Sequence, residues 1–416
     1  MNIAVIGSGA REHAIVLKLG QSELAEKVFV IPGNGGTENN VDIDVNDFAK
    51  IKNFCIANDV ELIFVGPEVP LAKGIVDYFE DTDIKVFGSD KKASQLESSK
   101  IFAKEFMNKY GVATAEFEKF SNLDDAMDFI KRLSGNCVVK YDGLAAGKGV
   151  FVCSSVGESK DAIKTVKEKF GSDANFIIEE KLIGNELSIM GVTDGKGIQL
   201  FMPTQDHKQL LDNDLGPNTG GMGAFTPVRF CDIKMMREIV KKNIFPTMNG
   251  LKQENFNYKG IVYFGLMITK NGPKVLEYNA RFGDPETQVI LASFKGDLLK
   301  LLLAAFDGTL SSFKMDFDMD FFVNVVLASG GYPNNYKKGY EISGLDKISD
   351  ETIVFHAGTK KEDDKIVTAG GRVLSVVAHG ATLDDAIEKV YAECKKISFK
   401  DVYYRKDIGK RDNLLK

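Results

Sequence analysis

The first hundred residues constrain the fold of this chain more than any other stretch. Apolar β-rich runs alternate there with helical runs, and each strand ends in a glycine-bearing loop. Strands are predicted at 3–6, 27–31, 62–65 and 85–87, with helices from 12 and near 47–58 and 72–79. That order is the mark of an open, doubly wound parallel sheet, in which ligands bind outside the C-terminal ends of the strands. The loops 7–13, 32–37 and 66–71 fall there. From Lys100 the pattern turns to α+β. From about 321 a smaller α+β unit follows, with a strand at 323–328, Gly330-Gly-Tyr-Pro333, Gly370-Gly-Arg-Val-Leu-Ser-Val-Val377 and a helix from 383 to about 395. Three units are therefore expected, at 1–99, 100–322 and 323–416. No repeat or low-complexity linker separates them, so they should pack together.

A chain of 416 residues exceeds one ordinary core, and 44% hydrophobic with 27% charged residues is the balance of a globular protein. The net charge of −6 and the lack of a basic tract argue against nucleic acid as a partner. Cysteines 55, 137, 153, 231 and 394 form no CxxC pair and no metal spacing, which points to reduced, packed thiols in a cytoplasmic protein. The chain opens on a strand rather than a signal sequence. Its richest later apolar run, 298–306, is too short for a bilayer and reads as a helix on a core. No membrane contact is expected.

Three segments carry chemistry. In Val275-Leu-Glu-Tyr-Asn-Ala-Arg-Phe-Gly-Asp-Pro-Glu-Thr-Gln288, a strand runs into a polar turn, and period-two spacing puts Glu277 and Asn279 on one face. A carboxylate beside an amide oxygen suits Mg²⁺, which leaves most of its shell to phosphate and water. A polar strand end with its own turn network explains the same residues. In Val138-Val-Lys-Tyr-Asp-Gly-Leu-Ala-Ala-Gly-Lys-Gly-Val150, Lys140 leads into a loop with Gly143, Gly147, Lys148 and Gly149 before β character resumes. Such a loop lets backbone amides approach phosphate. It is not a Walker A loop, because Gly-Lys-Ser/Thr is missing and a strand follows. In Phe176-Ile-Ile-Glu-Glu-Lys-Leu-Ile-Gly-Asn-Glu186, the strand end Glu179, Glu180, Lys181 and Leu182 could seat a purine edge, with Glu186 on the ribose hydroxyls. Alone, that last pattern is common on solvated strand ends.

In this order and spacing the three segments resemble the ATP-grasp enzymes. Gly7-Ser-Gly-Ala-Arg-Glu-His-Ala14, Pro32-Gly-Asn-Gly-Gly-Thr37, Gly66-Pro-Glu-Val-Pro-Leu71, Gln205-Asp-His-Lys208, Gly216-Pro-Asn-Thr-Gly-Gly-Met-Gly-Ala224 and Asn279-Ala-Arg-Phe-Gly-Asp-Pro-Glu286 sharpen this to the phosphoribosylamine–glycine ligase family. The resemblance implies a doubly wound N-terminal sheet, a central ATP-grasp fold with a mobile lid at about 113–188, and a small C-terminal α+β domain. It implies ATP-dependent joining of glycine to 5-phosphoribosylamine through glycyl phosphate, in purine biosynthesis. Lys100, Lys140 and Lys148 would meet ATP, and Glu277 with Asn279 would hold Mg²⁺, or Mn²⁺ in its place. Tyr263-Phe-Gly-Leu-Met267 is free of acid where many ATP-grasp relatives carry one, which leaves two fully protein-held metal ions unsupported. A monomer or weak homodimer is expected.

Other residues are read individually. Gly9, Arg11 and Glu12 open a helix whose N-terminus suits a phosphate, or form a plain βα turn. Asn34, Gly35, Gly36, Thr37, Pro67 and Glu68 sit on loop tips that fit a crevice rim or are ordinary turns, with Glu68 free to accept ribose hydroxyls. The stretch from 205 to 223 is the least structure-like, with polar groups and glycines that support no regular element. It offers Asp206, Asp214 and Asn218 to an ammonium group and the amides of Thr219, Gly220 and Gly221 to an anion. Lys208 stands among them, and the resemblance puts the amine substrates here. Arg281 is the candidate for stabilising the transferring group, with Asp284 and Glu286 to orient it or hold the glycine ammonium. Lys100 and Lys104 on a helix read equally as solvated charges. A nicotinamide-dependent oxidoreductase is the remote alternative, opposed by Glu12 at the third glycine position. Another ATP-grasp carboxylate–amine ligase is nearer, and the 205–208 and 216–224 segments count against it.

Overall fold

The computed structural model describes residues 1–145 and 147–410. Ala146 of the glycine loop and the last six positions of the expected C-terminal unit lie outside the described residues. Asn2–Gly7 pairs in parallel with both Lys27–Pro32 and Val60–Val65, and Val60–Val65 with Lys85–Ser89. Ile3, Ala4, Val5 and Ile6 are fully buried because helices cover both faces, which is why these strands read as continuous apolar runs rather than alternating ones. The first helix, Ala10–Gly20, begins two residues before the expected start. The helix expected at 72–79 is instead two short ones, Glu68–Lys73 and Ile75–Tyr78. Gly74 between them takes φ +89, the left-handed conformation that ends a helix cheaply only at glycine.

The sheet continues beyond this unit. Lys85–Ser89 pairs antiparallel with Tyr258–Thr269, which pairs in turn with Asn185–Thr193 and Gly272–Asn279. Eight strands thus form one sheet. The crossing is close: a Cβ on Gly260 would stand 3.0 Å from the Gly88 carbonyl carbon, so both positions favour glycine. Two hydrophobic clusters run through this body and tie it to the C-terminal unit. Leu298–Asp307, begun by an Asp297 cap on the Lys300 amide, buries Leu298, Leu299, Leu301 and Leu302 in the second cluster.

A separate four-stranded antiparallel sheet, in the order Phe117–Phe120, Phe176–Glu180, Cys137–Tyr141, Val150–Val152, carries the glycine loop. It packs on Leu123–Arg132 and Val156–Phe170 with a core of its own around Phe129, Ile130, Val139, Ile163 and Phe176. The C-terminal sheet holds Gln205–Asp206, Gly223–Thr226, Phe321–Ala328, Arg372–Gly380 and Ile353–His356, backed by the helix Leu383–Cys394. The segment expected to lack regular structure therefore supplies two strands to this sheet and a hairpin, Gln209–Leu211 with Leu215–Asn218. Asn213, Asp214 and Gly216 take positive φ and make its turn. The partners that hold it come from far along the chain: Tyr403 Oη and Arg405 Nη1 donate to the carbonyls of Leu210 and Gln209. The cysteines are free thiols, four of them buried. Among the described residues no helix is long and apolar enough to cross a membrane.

Candidate functional site

The strand Gly272–Asn279 ends at the junction of the two central sheets. Glu277 lies opposite Gly265 and Asn279 opposite Tyr263, so both side chains project from one face, as the period-two spacing predicts. Gly265 leaves room above Glu277, since a Cβ there would come within 3.3 Å of the Glu277 Cγ. Lys100, first residue of the helix Lys100–Tyr110, places Nζ 3.1 Å from Glu277 Oε2. That ammonium is the largest influence on Glu277 and holds its carboxyl well below the usual carboxylate range. Lys140 Nζ lies 2.9 Å from Glu179 Oε1 and donates to the Leu276 carbonyl at 3.1 Å. Lys104 Nζ reaches the other Glu179 oxygen at 3.3 Å with its side chain only 2% exposed, and burial lowers it to about 8. Lys100 and Lys104 are therefore not solvated helix charges. Glu179, read as an adenine-side residue, stands between two lysines.

Arg281 extends from the turn after the strand. Its Nη2 meets Glu97 Oε1 at 2.9 Å and its Nε meets Glu68 Oε2 at 3.2 Å. Glu97 was not singled out in the sequence. It is 5% exposed, accepts the Ala280 amide at 2.8 Å and, with the Asn279 carboxamide assigned the orientation that satisfies both its nitrogen and its oxygen, accepts that nitrogen at 3.0 Å. With its nitrogen so engaged, Asn279 turns its oxygen away from Glu97. An ionised carboxylate and an amide oxygen on one face are a donor set that fits a hard divalent cation completed by phosphate and water. No group of three or more His, Cys, Asp or Glu among the described residues forms a metal cage by itself.

The glycine loop is anchored at its root. Asp142 Oδ1 accepts from Ser99 Oγ at 2.8 Å and the Ile101 amide at 3.1 Å, joining the hairpin to the start of the Lys100 helix. Gly147 takes φ +78 and approaches Thr219, whose carbonyl would lie 3.8 Å from an added Cβ. Gly143 and Gly149 pack against Tyr141, and Lys148 is exposed. At the purine-type edge, Glu180 Oε1 accepts Lys274 Nζ at 2.6 Å, and the Lys181 amide goes to the Asn136 carbonyl at 3.3 Å. The Leu182 backbone bonds to no described residue. Glu186 accepts from Lys208 Nζ.

Around the opposite rim, Gly9, Arg11 and Glu12 begin the first helix. Glu12 is 2% exposed, bonded to the Gly9 amide and Arg11 Nε, and fills the space left by Gly7 and Gly66. Arg11 Nη1 donates to the Phe282 carbonyl at 3.0 Å. The 32–37 loop is closed on itself and on the C-terminal unit. Asn34 donates to the Ser8 and His356 carbonyls, Gly35 to Thr359, Gly36 to Asn34 Oδ1, and Thr37 accepts the Asn34 amide. The His356 amide donates to His13 Nδ1, and burial lowers the two imidazoles to about 3 for His13 and about 4 for His356. Pro67 occupies the N-cap position of the short helix that begins at Glu68, with no side-chain capping bond.

Asp206 is nearly buried beside Glu286 and Glu186, and burial pushes its carboxyl up to about 7 although Lys208 stands 3.8 Å away. Glu286 accepts from Tyr263 Oη and Ser188 Oγ. Asp214 pairs with the fully buried Arg405 at 2.9 Å on the outer hairpin, where Asn218 ends the second strand. The amides of Thr219, Gly220 and Gly221 are all engaged, by the Lys208 carbonyl, Tyr332 Oη and Thr219 Oγ1. They are not turned toward an anion as their glycine-rich sequence suggests. Asp284 pairs with Arg372 Nη1 at 3.2 Å and accepts from Gln288. Arg372 and Tyr332, which the sequence reading left without a role, enter from the C-terminal unit. The glycine pairs before each were the only signal.

Solved structures with this architecture include a biotin carboxylase from Campylobacter jejuni, with TM-score 0.74 and 14% identity over 98% of this chain and 94% of that one. At that identity the likeness is one of fold. Residues 98–287 match the ATP-grasp (A) domain of phosphoribosylglycinamide synthetase, which makes this an ATP-grasp enzyme. The sequence matches three phosphoribosylglycinamide synthetase domains in order: the N domain over 1–97, the ATP-grasp (A) domain over 98–287 and the C domain over 322–411. The chain belongs to the phosphoribosylglycinamide synthetase family. Relatives named phosphoribosylamine–glycine ligase share 46% identity in Caldanaerobacter subterraneus (98% of this chain, 99% of the relative) and in Clostridium acetobutylicum (99% and 100%). A crystal structure of the Thermotoga maritima phosphoribosylamine–glycine ligase aligns with TM-score 0.81 and 35% identity over 98% of this chain and all of that one.

Proposed function

We propose that this enzyme joins glycine to 5-phosphoribosylamine, with ATP converted to ADP and phosphate, in the purine pathway of the cytoplasm. The observation that carries the reading is the convergence on one strand end of Glu277, Asn279 and Arg281 with Lys100 and Lys140. Phosphoryl transfer needs positioning and charge neutralisation more than a protein nucleophile, and this constellation offers that. Lys100 and Lys140 approach the phosphates, Lys148 and the amides of Gly147 and Gly149 cover them while the Gly143 amide stays on the Tyr141 carbonyl, and the Leu182 backbone meets the adenine edge. Glu180, Lys181 and Glu186 line the nucleoside end. Glu277 and Asn279 would hold Mg²⁺ or Mn²⁺, which when bound neutralises charge on the phosphate oxygens.

The glycine carboxylate attacks the γ-phosphorus and ADP leaves, giving glycyl phosphate. Arg281, held by Glu68 and Glu97, faces the charge that develops. The amine nitrogen of phosphoribosylamine then attacks the acyl carbon, the C–O bond to phosphate breaks, and the nitrogen gives its proton to the departing phosphate as the amide forms. Asp206, Glu286 and Asp284 are the carboxyl groups available to the ammonium of glycine. Gly9, Arg11, Asn34 and Glu68 border the sugar phosphate side. The acyl phosphate hydrolyses if wet, so the small four-stranded sheet with its glycine loop acts as a lid.

ATP-dependent phosphate release should require both glycine and phosphoribosylamine formed in place from ribose 5-phosphate and ammonia. Equal release without either substrate would overturn the reading.

A further inference from the structure

The C-terminal unit carries two glycine-paired motifs, 330–333 and 370–372, that the mechanism above leaves unused. Both converge on the amine-side loop. Arg372 Nη1 donates to the carbonyls of Gly220 at 2.6 Å, Gly221 at 3.4 Å and Asp284 at 2.9 Å, and pairs with the Asp284 carboxylate at 3.2 Å. The guanidinium lies flat on Gly220, where an added Cβ would stand 3.0 Å from Cζ, 3.2 Å from Nη2 and 3.3 Å from Nε. Tyr332 Oη accepts the Gly220 amide, and its ring occupies the space a Cβ on Gly371 would need. One nitrogen of Arg372 is thus fixed by four contacts. Nε and Nη2 bond to no described residue, and the side chain is 21% exposed.

A guanidinium locked through one nitrogen and open along its other edge presents two parallel N–H groups, the geometry that matches an anion with two oxygens. Two anions enter this site besides ATP. The glycine carboxylate must reach the γ-phosphate beside Lys100 and Lys140, which contact neither Arg372 nor Asp284. Asp284 Oδ2 instead lies 3.4 Å from where a Cβ of Gly9 would be, so Arg372 borders the N-terminus of the first helix. We propose that Arg372 binds the phosphate of the ribosyl amine and is the residue that selects a phosphorylated acceptor. This rests on the ligase reading above.

The test compares phosphoribosylamine with ribosylamine, each formed in place from ammonia and ribose 5-phosphate or ribose, in the full chain and in Arg372→Ala and Arg372→Lys. Loss of charge-assisted hydrogen bonds should lower kcat/KM for phosphoribosylamine about 10–100-fold in Arg372→Ala, mostly through KM, and less in Arg372→Lys. Against ribosylamine, already poor for the native protein, the variants should lose about twofold or less. Because Arg372 also holds Asp284, any change in KM for glycine should be the same with either amine. Equal losses on both amines would overturn the proposal. If Arg372→Ala does not fold, Arg372→Lys decides by the same comparison. A native protein that releases no phosphate with either amine removes the ligase reading itself. A native protein active on phosphoribosylamine whose variants lose nothing removes only the role of Arg372.

Discussion

Glu277 is surrounded by cationic side chains, Lys100 nearest, and that concentration of positive charge keeps it ionised at any working pH. Glu277→Gln keeps the shape and removes the charge, so turnover should fall about two to three orders of magnitude while the fold survives. Near-native turnover with normal circular dichroism would falsify the metal role. Lys140→Met should weaken ATP binding about 10–100-fold by titration calorimetry. It should also leave Glu179 facing Lys104 alone. Asp206 gives a pH signature. Its carboxyl rises from an ordinary 3.8 to about 7, with burial outweighing Lys208. The folded chain therefore holds this proton more tightly than the unfolded chain. That stabilisation is complete below about pH 4 and lost as the pH rises through about 7. The Tm of the unliganded protein should fall across that interval, and Asp206→Asn should flatten the fall; an unchanged slope would assign it to other groups.

At the scale of elements, the N-terminal βα turns depend on one buried side chain. Glu12 occupies the space above both Gly7 and Gly66, and a Cβ on Gly66 would stand 2.1 Å from Glu12 Oε1. Gly66→Ala must displace a carboxylate that holds Arg11 and the Gly9 amide, which should cost about 1–3 kcal/mol in thermal or denaturant unfolding. Wild-type stability in that variant would mean the turn yields more easily than its packing suggests. Continuous apolar runs exposed the parallel strands of the N-terminal sheet, and period-two spacing exposed the shared face of Glu277 and Asn279, because burial on both faces or on one writes itself into local sequence. The 205–223 segment escaped the same reasoning. Its hairpin is held by Tyr403 and Arg405, nearly two hundred residues away, and local composition carries no trace of them.

For the whole molecule, the small four-stranded sheet has a private core, whereas the two large clusters bind the remaining units into one body. Hydrogen exchange should therefore show ATP slowing residues 117–180 and the glycine loop as a unit, with little change in the 2–89 sheet. Uniform slowing everywhere would argue against a separately moving lid. The shared eight-stranded sheet makes the converse prediction for the first unit. Residues 1–99 alone would leave Lys85–Ser89 as an open edge without its Tyr258–Thr269 partner. That fragment should aggregate or remain unfolded by circular dichroism, despite its complete strand and helix pattern.

The sequence alone determined the order of strands and helices, the shared face of Glu277 and Asn279, the lysines and the glycine loop, because each is set by spacing within a few residues. The tertiary structure decided that Glu97 from the first unit orients Asn279 and Arg281, that Glu179 sits between Lys104 and Lys140, and that Arg372 reaches Gly220 and Asp284. Each of these joins residues from about forty to nearly two hundred positions apart. Only packing brings such groups within hydrogen-bond distance, and no local pattern encodes a partner supplied by another unit.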